Sequence, residues 1–232
     1  MKIKKKKLQI AIDGPIGVGK SSLAFLLAQR LNLIYIHTGA MYRTVTYAVL
    51  ENKIPLDDKR GIIALVEKSR IELKKPSKPD RYTDVYLDGQ NIAQKLFTRS
   101  VTNTVAHISK IKKVRQYLVK IQQQMAKNKA VVMEGRDIGT KVLPKANIKI
   151  FLTADLKIRA RRRWAQLKKI NKPQPFFKIL EELKKRDELD MNRKESPLKK
   201  ATDAWTLDTT TLTIPGTVEV VLNKLKEKGL IE

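Results

Sequence analysis

The stretch IDGPIGVGKSS, residues 12–22, constrains the fold more than any other part of the chain. Gly14, Gly19, Lys20 and Ser21 satisfy the pattern G-x-x-x-x-G-K-[ST], and Gly17 adds a further glycine. Glycines let the backbone turn so that successive N–H groups face phosphate oxygens, and the helix that follows adds its positive end. Lys20 carries a mobile charge for the outer phosphates, and the Ser21 hydroxyl suits Mg2+. Such a loop works only between a strand and a helix. Both flanks agree: LQIAID (8–13) reads as a buried strand, and Leu23, Leu26, Leu27 and Leu31 recur at helical spacing.

The same alternation continues along the chain and predicts an α/β fold with a parallel sheet. LIYIH is a second strand, followed by a helix opening at Thr38 or Gly39 and running to about Leu50. AVVME (130–134) and IKIFLTA (148–154) are further strands, AWTLDT is a weaker last one, and a helix near 218–228 closes the chain. Between residues 68 and 96 the texture changes. RIELKK and DVYLDGQNIAQKL are short strand candidates joined by the turn-rich PSKPDRYT, with Asp88-Gly89 as a hairpin signal. KKINKPQPF (168–176) is a Pro- and Lys-rich connection between two helical stretches.

A length of 232 residues suits one domain, and with no cysteine the chain has no disulfide framework and no thiolate metal site. No apolar run reaches the roughly 20 residues needed to span a bilayer. LQIAI is too short for a secretory signal, so the expectation is a soluble cytoplasmic protein with no membrane partner. The net charge of +26 invites polyanions. However, only 14 of the 49 basic residues are arginine, and the lysines are spread along the chain, as solvated lysine faces would be. The lysine-rich start, 2–7, reads as a solvated tail on the same ground.

A phosphate loop leaves the chemistry open. A GTP switch needs an N-K-x-D element, and NKAV and NKPQ both lack the aspartate. A small phosphotransferase needs a second site, built from arginines near strand ends on the same sheet edge. HTGAMYR (37–43) follows the second strand, EGRDIGT (134–140) follows the third, and RDELDMNR (186–193) sits after the long late helix. Arg43, Arg136 and Arg193 are therefore candidates for bidentate phosphate contacts, a task that suits arginine better than lysine.

Together, IDGPIGVGKSS, TGAMYR, VVMEGRDIGT, IKIFLTA with RARRR, and RDELDMNR with PLKKATDA resemble bacterial cytidylate kinase, in that family's order and spacing and over essentially the whole chain. The resemblance implies transfer of the ATP γ-phosphoryl group to CMP or dCMP with Mg2+, in a P-loop nucleoside monophosphate kinase fold. It implies a single kinase domain, with a core at about 1–67, 97–157 and 190–232, a β-rich NMP-binding insert at about 68–96 and a lid at about 158–189. ATP would be held by Gly14, Pro15, Ile16, Gly17, Val18, Gly19, Lys20, Ser21 and Ser22, with Ser21 on Mg2+. CMP would be held by Thr38, Arg43, Arg115, Arg136, Asp137, Arg186, Asp190 and Arg193. Within that set, Arg115 matches an arginine at the cytosine and Asp190 a carboxylate at the ribose hydroxyls. Arg159, Arg162 and Arg163 match the lid region, where arginines reach the transferring group beside Lys20 and Arg136. A monomer is the family's usual state.

Two positions depart from the family pattern. His37 stands where an aspartate is usual, and Ala106 stands where a serine hydroxyl is expected at the cytosine edge. Ser109 and Thr104 are the neighbouring hydroxyls able to replace it. Base selectivity is thus where UMP or AMP competes as acceptor. Arg159, Arg162 and Arg163 fit a solvated helix face as well as a lid, and Glu134 fits a structural role as well as a water-mediated approach to Mg2+. His37, Trp164 and Trp205 read as packing residues, and the role of Asp13, in the loop or at the metal, stays open. The competing class is a nucleic-acid-binding protein, but no RNA-binding or helix-turn-helix signature accompanies the charge.

Overall fold

Apolar runs with no polar face make strands that must be covered on both sides, and three such runs form the centre of this protein. The computed structural model describes residues 3–4, 7–78, 81–169 and 171–232. In chain order the elements are β1 (Gln9–Asp13), α1 (Lys20–Leu31), β2 (Ile34–His37), α2 (Thr38–Glu51), α3 (Lys59–Lys68), β3 (Ile71–Lys74), β4 (Asp84–Leu87) and β5 (Gln90–Asn91). There follow a 3-10 turn (Lys95–Phe97), α4 (Arg99–Ile108), α5 (Lys112–Ala126), β6 (Val131–Gly135) and a π-helical turn (Ile138–Val142). The chain ends with β7 (Ile148–Thr153), α6 (Leu156–Lys169), α7 (Phe176–Met191), β8 (Trp205–Asp208) and α8 (Ile214–Glu227).

The chain forms two compact units, one comprising residues up to Ile34 together with Lys129–Glu232, the other Tyr35–Asn128. The first is built on a sheet of strand order β2-β6-β1-β7-β8. Ile34, the first residue of β2, donates its N–H to the Ala130 carbonyl at 3.1 Å as the chain leaves this unit. β1 runs parallel to both β6 and β7, and Asp13 stands level with Gly135 and Phe151. The carboxyl ends of the three central strands therefore lie side by side. α1 rests on β6 and α8, while α6 and α7 pack on each other around Ala160, Leu167, Ile179 and Leu183.

The second unit gathers α2, α3, α4 and α5 around Met41, Val49, Ile62, Val66, Ile108 and Leu118. A three-stranded antiparallel sheet, β3-β4-β5, joins them through Val85, Ile92 and Leu96, which pack with Ala40 of α2. The hairpin signal at Asp88-Gly89 forms a turn with φ of 50° and 85°, the pair of left-handed residues that a two-residue hairpin demands. The Asp88 carboxylate accepts the Arg70 N–H at 2.7 Å, which ties the turn to the neighbouring strand.

Three expectations change. RDELDMNR, expected after the late helix, lies inside it as far as Met191, so Arg186 and Asp190 stand one turn apart on α7. The last helix begins at Ile214, before the 218 expected, because the Thr213 hydroxyl accepts the Gly216 N–H and Pro215 sits in the first turn, where it needs no donor. At the other end, Ile3 bridges Ile231 and the Lys4 N–H reaches the Leu230 carbonyl, so this part of the lysine-rich start is not a solvated tail. Lys2, Lys5 and Lys6 lie outside the described residues, as do Pro79, Asp80 and Ile170 of the two turn-rich connections. Among the described residues, no helix is long and apolar enough to cross a membrane.

A Cβ on Gly89 would meet nothing within 4 Å, so Gly89→Ala tests backbone conformation alone. It is expected to cost about 1 kcal/mol in chemical denaturation, the penalty for a left-handed alanine.

Candidate active site

In the first unit the glycine loop leaves β1 and returns as α1. Gly14 has φ 149°, and a Cβ there would collide with the Leu152 carbonyl of β7, so only glycine lets the loop depart so close to the neighbouring strand. Lys20, at the first position of α1, is buried and donates to the Pro15 carbonyl at 2.5 Å. Burial, and then the Arg136 charge, bring its pKa down to about 7, although Glu134, Asp190 and Asp13 act in the opposite sense. The Ser21 hydroxyl donates to Glu134 Oε1 at 3.1 Å. A hydroxyl beside a carboxylate is an oxygen donor set of the kind that a hard cation takes, with phosphate and water completing the shell. Among the described residues, no cluster of three or more His, Cys, Asp or Glu is placed to hold a metal by itself.

Between the end of β6 and the last turns of α7 lies a knot of charges. Arg136 Nε donates to Asp190 Oδ2 at 2.8 Å, and Arg186 Nε lies 3.4 Å from the same oxygen. Arg193 stands 3.8 Å from Asp190 Oδ1 and 3.9 Å from Asp137, and donates its Nε to the Ser196 carbonyl. Burial alone would raise the Asp190 pKa, but Arg136, Arg186 and Arg193 outweigh it and hold the carboxylate below its usual range. Arg136 feels the converse: burial works against its charge, and Asp190 more than restores it. The structure thus brings Lys20, Arg136, Asp137, Arg186, Asp190 and Arg193 into one electrostatic group at the carboxyl edge of the sheet.

The three candidate arginines of α6, Arg159, Arg162 and Arg163, separate. Arg159 is buried, donates to the carbonyls of Ile16 and Ala154, and bonds the Asp187 carboxylate at 2.5 Å. Arg162 donates to the Thr209 hydroxyl and to the carbonyls of Thr209 and Leu212. Arg163 donates to its helix neighbour Gln166 at 2.8 Å, and burial lowers its pKa. A solvated face describes neither Arg159 nor Arg162. Asp187 and Thr209 were not singled out from the sequence. Asp187 lies within the quoted RDELDMNR, three residues before Asp190, whereas Thr209, whose hydroxyl is within reach of the Val18 and Thr153 carbonyls, has no sequence signal.

In the second unit, Thr38 opens α2 and is buried. Arg43 donates to the Leu96 carbonyl at 3.1 Å and the Thr102 hydroxyl at 2.9 Å, with its guanidinium 4.9 Å from the Phe97 ring centre. Arg115 is buried, donates to the Ser109 carbonyl and stacks 5.1 Å from the Tyr42 ring. The Ser109 hydroxyl, a candidate replacement at Ala106, instead donates to the Ala106 carbonyl. His37 stacks on Tyr35 at 5.9 Å, in keeping with packing. Trp164 borders the α6–α7 cluster under the Lys168 ammonium.

Asp13 reaches the turn beyond β6. Its two oxygens accept the N–H groups of Ile138 and Gly139 at 2.8 and 2.7 Å, pinning the π-helical turn that follows Arg136 and Asp137 to the end of β1. Burial raises its pKa to about 6 against the pull of those two donors.

A family model described as "Cytidylate kinase" matches residues 10–227. A cytidylate kinase of Caldicellulosiruptor bescii is 45% identical over 217 residues, covering 94% of this chain and 95% of the relative. One of Bacillus licheniformis is 43% identical over 224 residues, covering 97% and 98%. Among solved structures, an uncharacterized protein from Eubacterium ventriosum has a TM-score of 0.51 at 12% identity, covering 96% of this chain and 99% of that one, a likeness of fold alone.

The raised pKa of Asp13 has a definite sign. Between about 4 and about 6 the folded protein holds a proton that the unfolded chain has released, so this group's contribution to stability falls as pH rises through that window. Denaturation curves of wild type and Asp13→Asn should therefore diverge in the variant's favour from pH 4 to pH 6 and run parallel above. Parallel curves throughout would show that the carboxyl titrates normally.

Proposed function

The chain belongs to the cytidylate kinase family, and from that premise we propose that it transfers the γ-phosphoryl group of ATP to CMP and dCMP. The observation that carries this reading is the charge group of the first unit, where a glycine loop with a buried lysine shares a sheet edge with an arginine set organised by Asp190. A triphosphate suits the loop of Gly14–Ser22, whose N–H groups and helix end favour an anion. The acceptor phosphate suits Arg136, Arg186 and Arg193, and the ribose hydroxyls suit Asp190, a carboxylate held in its ionised, accepting form. Asp137, Thr38, Arg43 and Arg115 complete the proposed CMP contacts, with Arg115 at the base. A cytoplasmic, monomeric enzyme belongs to the same proposal.

Phosphoryl transfer asks the protein for alignment and for neutralisation of spreading charge, and little else. Arg136 and its neighbours orient the acceptor, whose phosphate oxygen is already an anionic nucleophile and needs no dedicated base. Lys20 exchanges its bond to the Pro15 carbonyl for the outer phosphates, and of Arg159, Arg162 and Arg163 it is Arg163, bonded to the Gln166 side chain rather than to backbone, that is best suited to swing onto the transferring group. Ser21 and Glu134 fit Mg2+, which when bound supplies further positive charge at the phosphate oxygens.

A coupled assay with CMP, dCMP, UMP and AMP should show kcat/KM for the two cytidine nucleotides at least about tenfold above the others. AMP or UMP as best acceptor would overturn the base assignment. In the same assay Arg136→Ala should cut kcat/KM for CMP roughly 100-fold while changing the KM for ATP less than about threefold.

Lys20 gives an independent check. With a pKa about 7 it is largely neutral near pH 8, and an incoming triphosphate restores its charge. Calorimetry of MgATP binding at that pH, in buffers of different ionisation heat, should report proton uptake that Lys20→Arg removes. Identical heats in all buffers would contradict it.

A further inference from the structure

Arg159 and Asp187 form a buried ion pair that also bonds both backbone polar groups of one residue of the glycine loop. Asp187 Oδ1 lies 3.4 Å from the Ile16 N–H, and Arg159 donates to the Ile16 carbonyl at 3.1 Å. The Ile16 side chain meanwhile packs into the α6–α7 cluster beside Leu156, Trp164 and Leu180. Ile16 is thus held by its side chain and by both of its backbone polar groups.

The consequence follows from peptide planarity. In a trans peptide the C=O and the next N–H lie in one plane and point opposite ways. Asp187 at the Ile16 N–H sets the plane shared with the Pro15 carbonyl, which is the group that Lys20 Nζ touches. Arg159 at the Ile16 carbonyl sets the next plane and so aims the Gly17 N–H to the opposite side. The Arg159 stem comes close enough that a Cβ on Gly17 would stand 3.2 Å from its own Cβ. Two successive peptides of the phosphate cradle are therefore oriented from outside the loop by one charge pair.

Stability alone does not call for such a pair, because an ion pair in a buried setting costs desolvation that an apolar pair avoids. The apolar contacts of Ala160, Leu167, Ile179 and Leu183 already join α6 to α7. We propose that Asp187 is a positioning residue for the phosphate donor, acting through Arg159 and the Ile16 peptide to aim the loop's N–H groups. The proposal rests on the reading of this loop as the ATP site.

The test measures MgATP binding by calorimetry, without acceptor, alongside the KM for CMP. Asp187→Asn should weaken MgATP roughly fivefold to twentyfold while leaving the KM for CMP within about twofold. Asp187→Glu, which keeps the carboxylate, should recover much of the loss. The charge-free double variant Arg159→Met with Asp187→Leu is expected to fold, since it replaces the pair by apolar volume, yet to bind MgATP as weakly as Asp187→Asn. A folded double variant with wild-type MgATP affinity would sink the proposal, as would equal losses for MgATP and CMP, the mark of a merely structural pair. Wild-type protein that takes no MgATP would sink the donor-site reading and this proposal with it.

Discussion

Gathering Lys20, Arg136, Arg186 and Arg193 at one end of a sheet is an electrostatic problem before it is a catalytic device. Buried cations repel each other and lose their water, and they stay charged only if carboxylates share the corner. Asp190 meets that need by facing three arginines at once, and it is held ionised despite its own burial. Lys20 shows what happens where the balance is incomplete. Burial and Arg136 outweigh the carboxylates around it, and its pKa drops to about 7. An anionic ligand supplies the charge that such a corner lacks, so affinity for phosphate follows from the arrangement of unlike charges rather than from the overall charge of +26.

The backbone carries the second half of the design. The register of β1 with β6 and β7 sets Asp13, Gly135 and Phe151 level, so the loops that leave these strands start from one line. Side chains then fix how those loops proceed. Asp13 takes two N–H groups of the turn after Arg136 and Asp137, and Arg159, Asp187 and Thr209 reach carbonyls or N–H groups of the glycine loop. Each is a long-range bond, and together they convert a flexible glycine-rich segment into a shaped surface.

Much of this was legible in the sequence, for reasons that differ by element. The glycine loop was legible because its chemistry is local: spacing, a preceding apolar run and a following helix lie within about two dozen residues. The Asp88-Gly89 hairpin was legible because left-handed backbone selects few residues. The start of α8 lies earlier than expected, because the Thr213 cap and Pro215 in the first turn extend the helix ahead of its apolar face. Arg159, Arg162 and Arg163 were indistinguishable in sequence, sharing one chemistry and one helix face.

By itself, then, the sequence determined the α/β alternation, the phosphate loop, the hairpin and the family, because periodicity, backbone preference and motif order are properties of neighbouring residues. Tertiary structure alone decided which groups each arginine meets, that Asp13 secures the turn beyond β6, and that Asp187 reaches back to Ile16. Those partners lie 125, 126 and 171 residues apart in the chain. A hydrogen bond is selected by what folding brings within about 3 Å, and no local rule of sequence records that distance.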